Sequence, residues 1–366
     1  GKKYGFDEEG KMLFGFVDEN GALLNNEDDA VLNCTYYFGT NDDGARHSGW
    51  LRYEDGFDTT DYDDLDYEYF WFNFGSNGVK RTANNVTNPK KINGNSYYFD
   101  ENGVMITEWA GSTWSTTSKF YNSNLENGSL QKNSWIWTAA NEDWGLDDED
   151  DHWFRTDNKG QILTKQTKKI NSKWYVFDEN GIMQYGLVQL STPKVNGSDA
   201  YMIQAFDEDE VDAEDIYALG NANVYYFSDD EENDGAMKTG SSIKISLADD
   251  DYTFGFDKST GRAYSGIENN KVYFNGIRQE ADDDKYEIVV IDIYDNGGNL
   301  VESDAEFLVN STGTRMKADR YYKDDNDEYY VVLSGDDDTG YDIIHVDDLD
   351  AAKAALEEKE SVSIAK

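Results

Sequence analysis

The sequence has one cysteine, two prolines and few basic residues, and these shortages exclude several classes of protein. Cys34 has no second cysteine to pair with, so a small fold held together by internal disulfides is excluded. The 32 basic residues face 75 acidic ones, and the resulting formal charge of −43 repels nucleic acids and anionic membranes. No apolar run reaches the about 18 residues that a spanning helix needs, so membrane insertion is not expected.

Aromatic residues and glycine are abundant instead. The 366 residues include 26 Tyr, 18 Phe, 9 Trp and 32 Gly, although hydrophobic residues of all kinds make up only 38% of the chain. Disordered acidic chains are poor in aromatics, so this chain is expected to fold. Rings bury a large area per residue and can close a thin core, and frequent glycine is typical of tight turns between short strands.

A short motif recurs along the chain and consists of adjacent aromatic residues, an acidic turn, a glycine, and then Met or Leu. The clearest copies run from Tyr97 to Met105 and from Trp174 to Met183, and nine or ten units fit before about residue 345. Alternating aromatics suit a strand with one buried face, and Asp-Glu-Asn-Gly suits a turn whose glycine has positive φ. Each unit is therefore predicted to be a β-hairpin, with rings such as Tyr98, Phe99 and Phe177 in the core.

The repeats predict how the hairpins assemble. A lone hairpin is only marginally stable in water, so neighbouring hairpins are expected to stack and bury one another's rings. The expected fold class is all-β, an elongated β-hairpin repeat solenoid with a short C-terminal helix. Residues 1–279 would form the hairpin repeats, 280–346 degenerate repeats or a small β capping region, and 347–366 the helix and tail. The helix is predicted because Leu349, Ala352 and Leu356 share one helical face.

The motif resembles the cell-wall-binding (choline-binding-type) repeat, a family related to glucan-binding repeats and clostridial toxin repeats. The resemblance implies that a ligand sits between consecutive hairpins in a cage of rings. A quaternary ammonium has no hydrogen-bond donor, so ring faces hold it by cation–π attraction. In this sequence Gly49-Trp50 keeps the family's Gly-Trp pair and Trp174 keeps the first ring of its Trp-Tyr-Tyr. Because no repeat keeps both rings, glycan binding and a purely architectural role stand beside choline binding.

Seven rings are the candidate ligand-stacking residues. They are Trp50, Trp109, Phe120, Tyr121, Trp135, Trp153 and Trp174. A ring exposed at a hairpin edge can stack on a sugar face, whereas the competing interpretation packs these rings between neighbouring hairpins. The exposure of Trp50, Trp109 and Trp135 distinguishes the two interpretations. The segment from Trp135 to Trp144 is the densest tryptophan cluster and is flanked by acids.

Acidic inserts between the repeats suggest a calcium site. Asp230, Glu232 and Asp234 are spaced like the first half of an EF-hand loop, although Ser241 stands where that loop has its bidentate acid. We therefore predict a calcium site at these three residues; the alternative is a solvated turn without a bound ion.

Catalysis has no motif to support it. His47, His152 and His345 are far apart in the sequence, and no phosphate loop, nucleophile elbow or zinc spacing accompanies them. The chain is therefore not expected to be an enzyme.

These observations predict a non-catalytic cell-surface module of a secreted Gram-positive protein. The expected partner is a cell-wall polymer, such as teichoic acid or a peptidoglycan-linked glycan, or else a host or dietary glycan. Weak contacts at several aromatic sites would be strengthened by multivalency. Two alternatives remain, namely a structural stalk or spacer with no ligand, and the targeting tail of a wall hydrolase or glucosyltransferase.

Overall fold

The computed structural model describes residues 1–25, 27–54, 62, 67–83, 89–110, 118–140, 150–228, 234–282, 284–334 and 340–365, without the side chains of 360–365. The chain divides into two units, Gly1–Leu163 and Thr164–Lys366. Each unit is described by itself below.

The first unit is built from short antiparallel hairpins. Its elements are β1 (Phe16–Val17), α1 (Ala30–Asn33), β2 (Tyr36–Tyr37), β3 (Gly49–Tyr53), β4 (Phe70–Phe74), β5 (Lys90–Ile92), β6 (Asn95–Phe99), β7 (Met105–Ile106), β8 (Glu108–Ala110), β9 (Lys119–Tyr121), β10 (Trp135–Ala139) and β11 (Asp151–Arg155). The strands form sheets of two or three in sequence order: β1-β2, β3-β4, β5-β6-β7, β8-β9 and β10-β11.

The second unit continues with hairpins and adds longer strands and helices. Its elements are β12 (Gln166–Ile170), β13 (Lys173–Phe177), β14 (Met183–Gln184), β15 (Leu187–Leu190), β16 (Met202–Ala205), α2 (Ala213–Ala218), β17 (Val224–Tyr226), β18 (Gly240–Ser246), β19 (Asp251–Phe256), β20 (Gly266–Glu268), β21 (Lys271–Phe274), β22 (Ile277–Arg278), β23 (Tyr286–Tyr294), β24 (Leu300–Asn310), β25 (Arg320–Lys323), β26 (Tyr329–Ser334), β27 (Tyr341–Val346) and α3 (Leu349–Ala365). The sheets are β12-β13-β14, β16-β15-β17, β18-β19-β22-β21-β20, β23-β24 and β25-β26-β27. The predicted all-β architecture of many small antiparallel hairpins is confirmed.

One turn geometry recurs in both units and follows from the acidic residue that begins it. At Asp100 the carboxylate Oδ1 accepts the backbone N–H of Val104 at 2.7 Å, while the Asp100 N–H donates to the Val104 carbonyl. Gly103 stands between them with φ of 87°, a left-handed conformation in which a side chain is strained. The same two bonds close the turns that begin at Asp7, Asp18, Asp157, Asp178, Asp295, Asn310 and Asp324.

The residue two positions after a turn glycine packs on the glycine of a later turn. Met105 follows Gly103 in this way, and a Cβ placed on Gly128 would lie 2.5 Å from Met105 Cε. The arrangement recurs at Met12–Gly44, Arg46–Gly78, Lys80–Gly103, Leu130–Gly160, Met183–Gly235, Met237–Gly261 and Arg278–Gly313. At these turns successive hairpins therefore interlock, because the bare glycine leaves room for a side chain from an earlier hairpin.

The cores are made largely of aromatic rings, as the composition predicts. Phe99 and Phe177 are fully buried, which confirms two of the predicted core rings. Tyr98 is only half-buried, and it packs at the edge of a different core cluster, with its ring 6.1 Å from that of Tyr121. Consecutive strand residues point to opposite faces, so Tyr98 and Phe99 cannot share one core.

The predicted C-terminal helix is confirmed as α3. The Asp348 carboxylate accepts the backbone N–H of Ala351 at 2.8 Å and so caps the start of the helix. Ala352 is fully buried against Val331 and Leu333 of β26, and Leu356 lies half-buried beside them. One face of the helix therefore covers the sheet formed by β25, β26 and β27.

Candidate functional site

Trp50 lies at the centre of an aromatic cluster contributed by consecutive hairpins. Its ring centroid is 6.0 Å from that of Trp71 on the paired strand β4 and 4.9 Å from that of Tyr97 on β6. Both contacts are edge-to-face, with interplanar angles of 86° and 72°. All three side chains are half-buried, so part of each ring remains in contact with solvent. We call these three residues the Trp50 cluster.

Trp109 occupies the corresponding place in the β8-β9 hairpin but is held more firmly. Its ring lies 4.8 Å from Phe120 and 5.1 Å from Phe154, both edge-to-face. Its indole Nε1–H donates to the Ala139 carbonyl at 2.9 Å. These contacts make Trp109 a packing residue between hairpins, although its side chain is half-buried and not closed off completely.

Two of the candidate stacking residues are buried. Tyr121 is 0% exposed and Phe120 is 7% exposed, so neither ring offers a face to a ligand in this structure. Both belong to β9, whose three residues are all buried. The sequence pattern could not separate them from exposed rings, because strand alternation predicts that only one of two neighbours is buried.

Three tryptophans converge on the β10-β11 hairpin. Trp135 and Trp137 are two residues apart on β10 and therefore share a face, and Trp137 pairs directly with Trp153 of β11. The Trp153 ring is 6.0 Å from Trp135 and 5.2 Å from Trp137. Trp137 is 38% exposed, which places it among the exposed large hydrophobic residues. We call these three residues the Trp137 cluster.

A guanidinium borders the Trp137 cluster. Arg155 pairs with Trp135 across the ladder, and its Cζ lies 5.5 Å from the Trp135 ring centroid. A cation at this distance is attracted by the negative face of the ring, so the site accommodates positive charge. Trp144, which the sequence groups with these residues, lies outside the described part of the chain.

Sequence reasoning misses three rings of these clusters, including Tyr97, which it places in a clear repeat but not among the candidates. Trp71 stands out in the sequence only as part of a weak repeat, and Trp137 only as part of a tryptophan-rich segment. Alternation on a strand points to Trp137, because it lies on the same face as Trp135. Trp71 has no such local signal, since the β3-β4 pairing is what brings it beside Trp50.

Trp174 lies on β13 and is half-buried. The Lys169 ammonium on the paired strand β12 lies 6.0 Å from the Trp174 ring centroid. The backbone carbonyl of Trp174 accepts the Met237 N–H. Trp174 thus combines a packing position with a cationic neighbour, and a ligand-stacking role for it stays a prediction.

The calcium prediction falls mostly outside the described residues, since Asp230 and Glu232 are not among them. Asp234 is described, and its carboxylate forms ion pairs with Lys173 at 3.0 Å and Lys238 at 2.7 Å. Partial burial acts to raise the pKa of Asp234, but these two ammonium groups hold the pKa below its ordinary value. A calcium ion would have to compete with both lysines for this carboxylate, and the calcium site stays a prediction.

His47 has a structural environment in the first unit. Its ring packs edge-on against Phe74 at 5.6 Å, and its Nε2 lies 3.1 Å from the Trp50 carbonyl oxygen. The residue therefore supports the β3-β4 hairpin beside the Trp50 cluster.

Among the described helices, none has both the length and the apolar character needed to cross a membrane.

Comparison with known families agrees with this arrangement of hairpins and rings. Residues 90–105 and 168–183 each match the putative cell wall binding repeat. The first matched segment covers β5, β6 and the start of β7, and the second covers the corresponding part of the sheet formed by β12, β13 and β14. The predicted resemblance is confirmed, and no curated protein matches the chain in sequence.

Two solved structures resemble the chain at low sequence identity. Choline binding protein F of Streptococcus pneumoniae is 21% identical, with 86% of this chain and 96% of that chain covered and a TM-score of 0.40. The modular autolysin LytC of Streptococcus pneumoniae is 17% identical over 78% of this chain, with a TM-score of 0.35. The match spans 50% of the length of LytC. Likeness at this level does not by itself establish a shared activity.

Proposed function

We propose that this chain is a non-catalytic binding module that attaches a secreted protein to a cell-wall polymer or another glycan at the surface of a Gram-positive cell. The proposal combines the cell-wall-binding repeats with the aromatic clusters between their strands. The observation that carries it is the Trp137 cluster, where three indoles meet on one hairpin and one of them is 38% exposed.

The chemistry of the Trp137 cluster fits two kinds of wall ligand. An exposed indole face can stack on the apolar face of a sugar ring, and the same face attracts a quaternary ammonium such as choline. The Arg155 guanidinium already lies 5.5 Å from the Trp135 ring centroid, so the face left for a ligand is that of the exposed Trp137 ring. The half-buried Trp50 cluster offers a second site of the same kind, and several weak sites on one chain would add avidity.

A structural stalk is the second candidate, and the Trp109 contacts favour it. This indole is fixed between Phe120 and Phe154, and its N–H is satisfied by Ala139. Such a residue joins hairpins whether or not a ligand binds. A stalk would have no use for the 38% exposed ring of Trp137, so that ring is the place to test the two candidates against each other.

The test is retention of the chain on purified Gram-positive cell walls and on immobilised glycans. Trp137→Ala is expected to weaken retention about tenfold, since the loss of one ring–ligand contact of about 1–2 kcal/mol changes affinity by that order. Tyr321→Ala is the matched control, because Tyr321 is 39% exposed and lies outside both clusters. Free choline added in competition separates the ligands: elution by choline indicates ammonium recognition, and retention in its presence indicates glycan stacking.

The folding of both variants is checked by thermal unfolding. Because both rings are more than one-third exposed, each variant is expected to melt close to the unaltered chain. Equal retention of Trp137→Ala and the unaltered chain would exclude the Trp137 cluster as the binding site. If the unaltered chain were retained on no wall and no glycan, the stalk would replace the binding module.

A further inference from the structure

One repeat-type turn in the second unit carries four acidic residues, and two of their carboxylates face a histidine. The turn 324–328 joins β25 to β26, and the Asp324 N–H donates to the Glu328 carbonyl at 2.9 Å, as in the other turns of this kind. The fifth turn position is Lys11, Ala22, Val104, Gln161, Ile182, Asn299 or Thr314 in those other turns. Among the described turns with this bonding, only the one at Asp324 places an acid there.

Strand pairing brings His345 to the same place. His345 on β27 pairs with Tyr330 on β26, and Glu328 lies two residues before Tyr330 on the same face. The His345 and Tyr330 rings are in contact at 4.4 Å between centroids, which fixes the orientation of the imidazole. Its Nε2 lies 3.2 Å from Asp324 Oδ2 and 3.4 Å from Glu328 Oε2.

These separations are those of ligands about one metal ion. Ligand atoms placed tetrahedrally at about 2.0–2.1 Å from zinc are about 3.3 Å apart. The two distances at His345 Nε2, 3.2 and 3.4 Å, bracket that separation, and all three ligand atoms lie within 4.8 Å of one another. A charge-assisted bond from a protonated imidazole to a carboxylate is shorter, at about 2.7–2.9 Å. The three ligand atoms are therefore close enough together to share one ion.

The carboxylate of Asp324 is held in position for this role. Its Oδ1 accepts the backbone N–H groups of Asn326 and Glu328 at 2.9 and 2.8 Å, which leaves Oδ2 directed at His345. Asp324 is therefore held in place by its own turn, with one carboxylate oxygen left for a ligand role.

The surroundings favour a cation with a nitrogen ligand. Asp325 and Asp327 belong to the same turn as the two carboxylates, so the site is in a negative field. Calcium prefers six to eight oxygen ligands, whereas zinc accepts imidazole nitrogen together with carboxylate oxygen. The His345 and Glu328 side chains are 39% and 40% exposed, so water can reach the remaining coordination position.

We propose that Asp324, Glu328 and His345 form a zinc site that links the β25-β26 turn to β27. Zinc there would tie together the three strands of this sheet. This inference does not depend on the wall-binding proposal, because it concerns a different part of the chain and a different ligand.

The test is calorimetric titration of the full, metal-stripped chain with zinc chloride in a buffer that does not chelate metals. We expect one strong site, and we expect His345→Gln and Glu328→Gln each to weaken it at least about tenfold. Asp327→Asn is the control for charge, since this exposed acid of the same turn pairs with Lys323 and contributes no ligand atom. His152→Gln is the control for loss of a histidine elsewhere in the chain. Both controls are expected to keep the affinity of the unaltered chain.

A second measurement guards against variants that fold poorly. Cobalt bound to the unaltered chain is expected to give the strong visible absorption of four-coordinate geometry, and added zinc should remove it. Calcium in large excess should leave the zinc site filled. The proposal is overturned if zinc binds only weakly at many places, if His345→Gln and Glu328→Gln bind like the controls, or if calcium displaces zinc.

Discussion

Replacing Gly128 with alanine tests how the hairpins interlock. Gly128 has φ of 51°, and a Cβ at this position would lie 2.5 Å from Met105 Cε and 2.6 Å from Met105 Sδ. Met105 is 2% exposed, so its side chain cannot swing into solvent without losing its packing. The substitution should therefore strain the backbone and force two hairpins apart at the same time.

The expected cost has two parts. A left-handed conformation costs an L-residue about 1–2 kcal/mol, and overpacking a tight contact costs about 1–3 kcal/mol. Gly128→Ala should therefore destabilise the chain by about 2–5 kcal/mol. Gly220→Ala is the matched control, since Gly220 has φ of 59° and a Cβ placed on it would meet no heavy atom within 4 Å. It should show only the backbone part, about 1–2 kcal/mol.

A double-mutant cycle isolates the contact. Met105→Ala alone leaves a cavity and should cost about 2–5 kcal/mol, but in the double variant the methyl group added by Gly128→Ala has room. The double variant should therefore be less destabilised than the sum of the single variants, by about 0.5–3 kcal/mol. The assay is urea unfolding followed by circular dichroism. Equal effects of Gly128→Ala and Gly220→Ala, or strict additivity in the cycle, would refute the interlocking of turns.

Two further predictions concern titratable groups in the repeats. Burial raises the pKa of Asp178 in the folded chain. Ionisation of Asp178 therefore lowers the free energy of unfolding at pH values above that pKa, and this loss of stability disappears as the pH falls below the ordinary pKa of an aspartate, about 3.9. Asp178→Asn keeps an acceptor oxygen for the turn, as Asn310 does in its own turn. The variant should therefore be more stable than the unaltered chain at pH 7 and should lose this advantage in acid. Lower stability of the variant at pH 7 would contradict this reasoning. Burial raises the pKa of the Cys34 thiol to about 11, so the folded chain should react slowly with a thiol reagent at pH 8 and rapidly in urea. Fast reaction of the folded chain would show that Cys34 is accessible.

The turns could be predicted from the sequence because their chemistry is local. An Asp that begins a turn accepts N–H groups two and four residues on, and the glycine between them takes positive φ, so Asp178 to Gly181 specifies its own shape. The packing of Met105 on Gly128 could not be predicted in the same way. It depends on which later turn stacks on which hairpin, and acidic inserts of different length separate the repeats.

The candidate site was only partly predictable for the same reason. The repeat pattern singles out Trp50, Trp135 and Trp153, and these rings lie half-buried within aromatic clusters, where their contact with a ligand stays a prediction. Phe120 and Tyr121 have similar local sequence but lie in a strand that is buried on both faces. Their burial is a tertiary property, which depends on the neighbouring hairpins.

The proposed zinc site illustrates how strand register changes the interpretation of an acidic insert. In the sequence, Asp324 to Glu328 resembles the other acidic loops and indicates only a solvated turn. The pairing of β26 with β27 is what places His345 beside both carboxylates. A histidine about 17 residues from Glu328 gives no local signal of this contact, whereas one strand register determines it.

The most direct test of the central claim is an NMR titration of the indole N–H signals with solubilised cell-wall polymer. Each of the nine tryptophans contributes one indole N–H signal, which single substitutions can assign. Binding through the ring clusters predicts that the signals of Trp135, Trp137 and Trp153 shift in a saturable manner. The signal of Trp109, whose N–H is bonded to Ala139, should change least. Attachment through these rings would be contradicted if saturating polymer left all the indole signals in place. It would also be contradicted if the polymer shifted the signals of the Trp137→Ala variant as much as those of the unaltered chain.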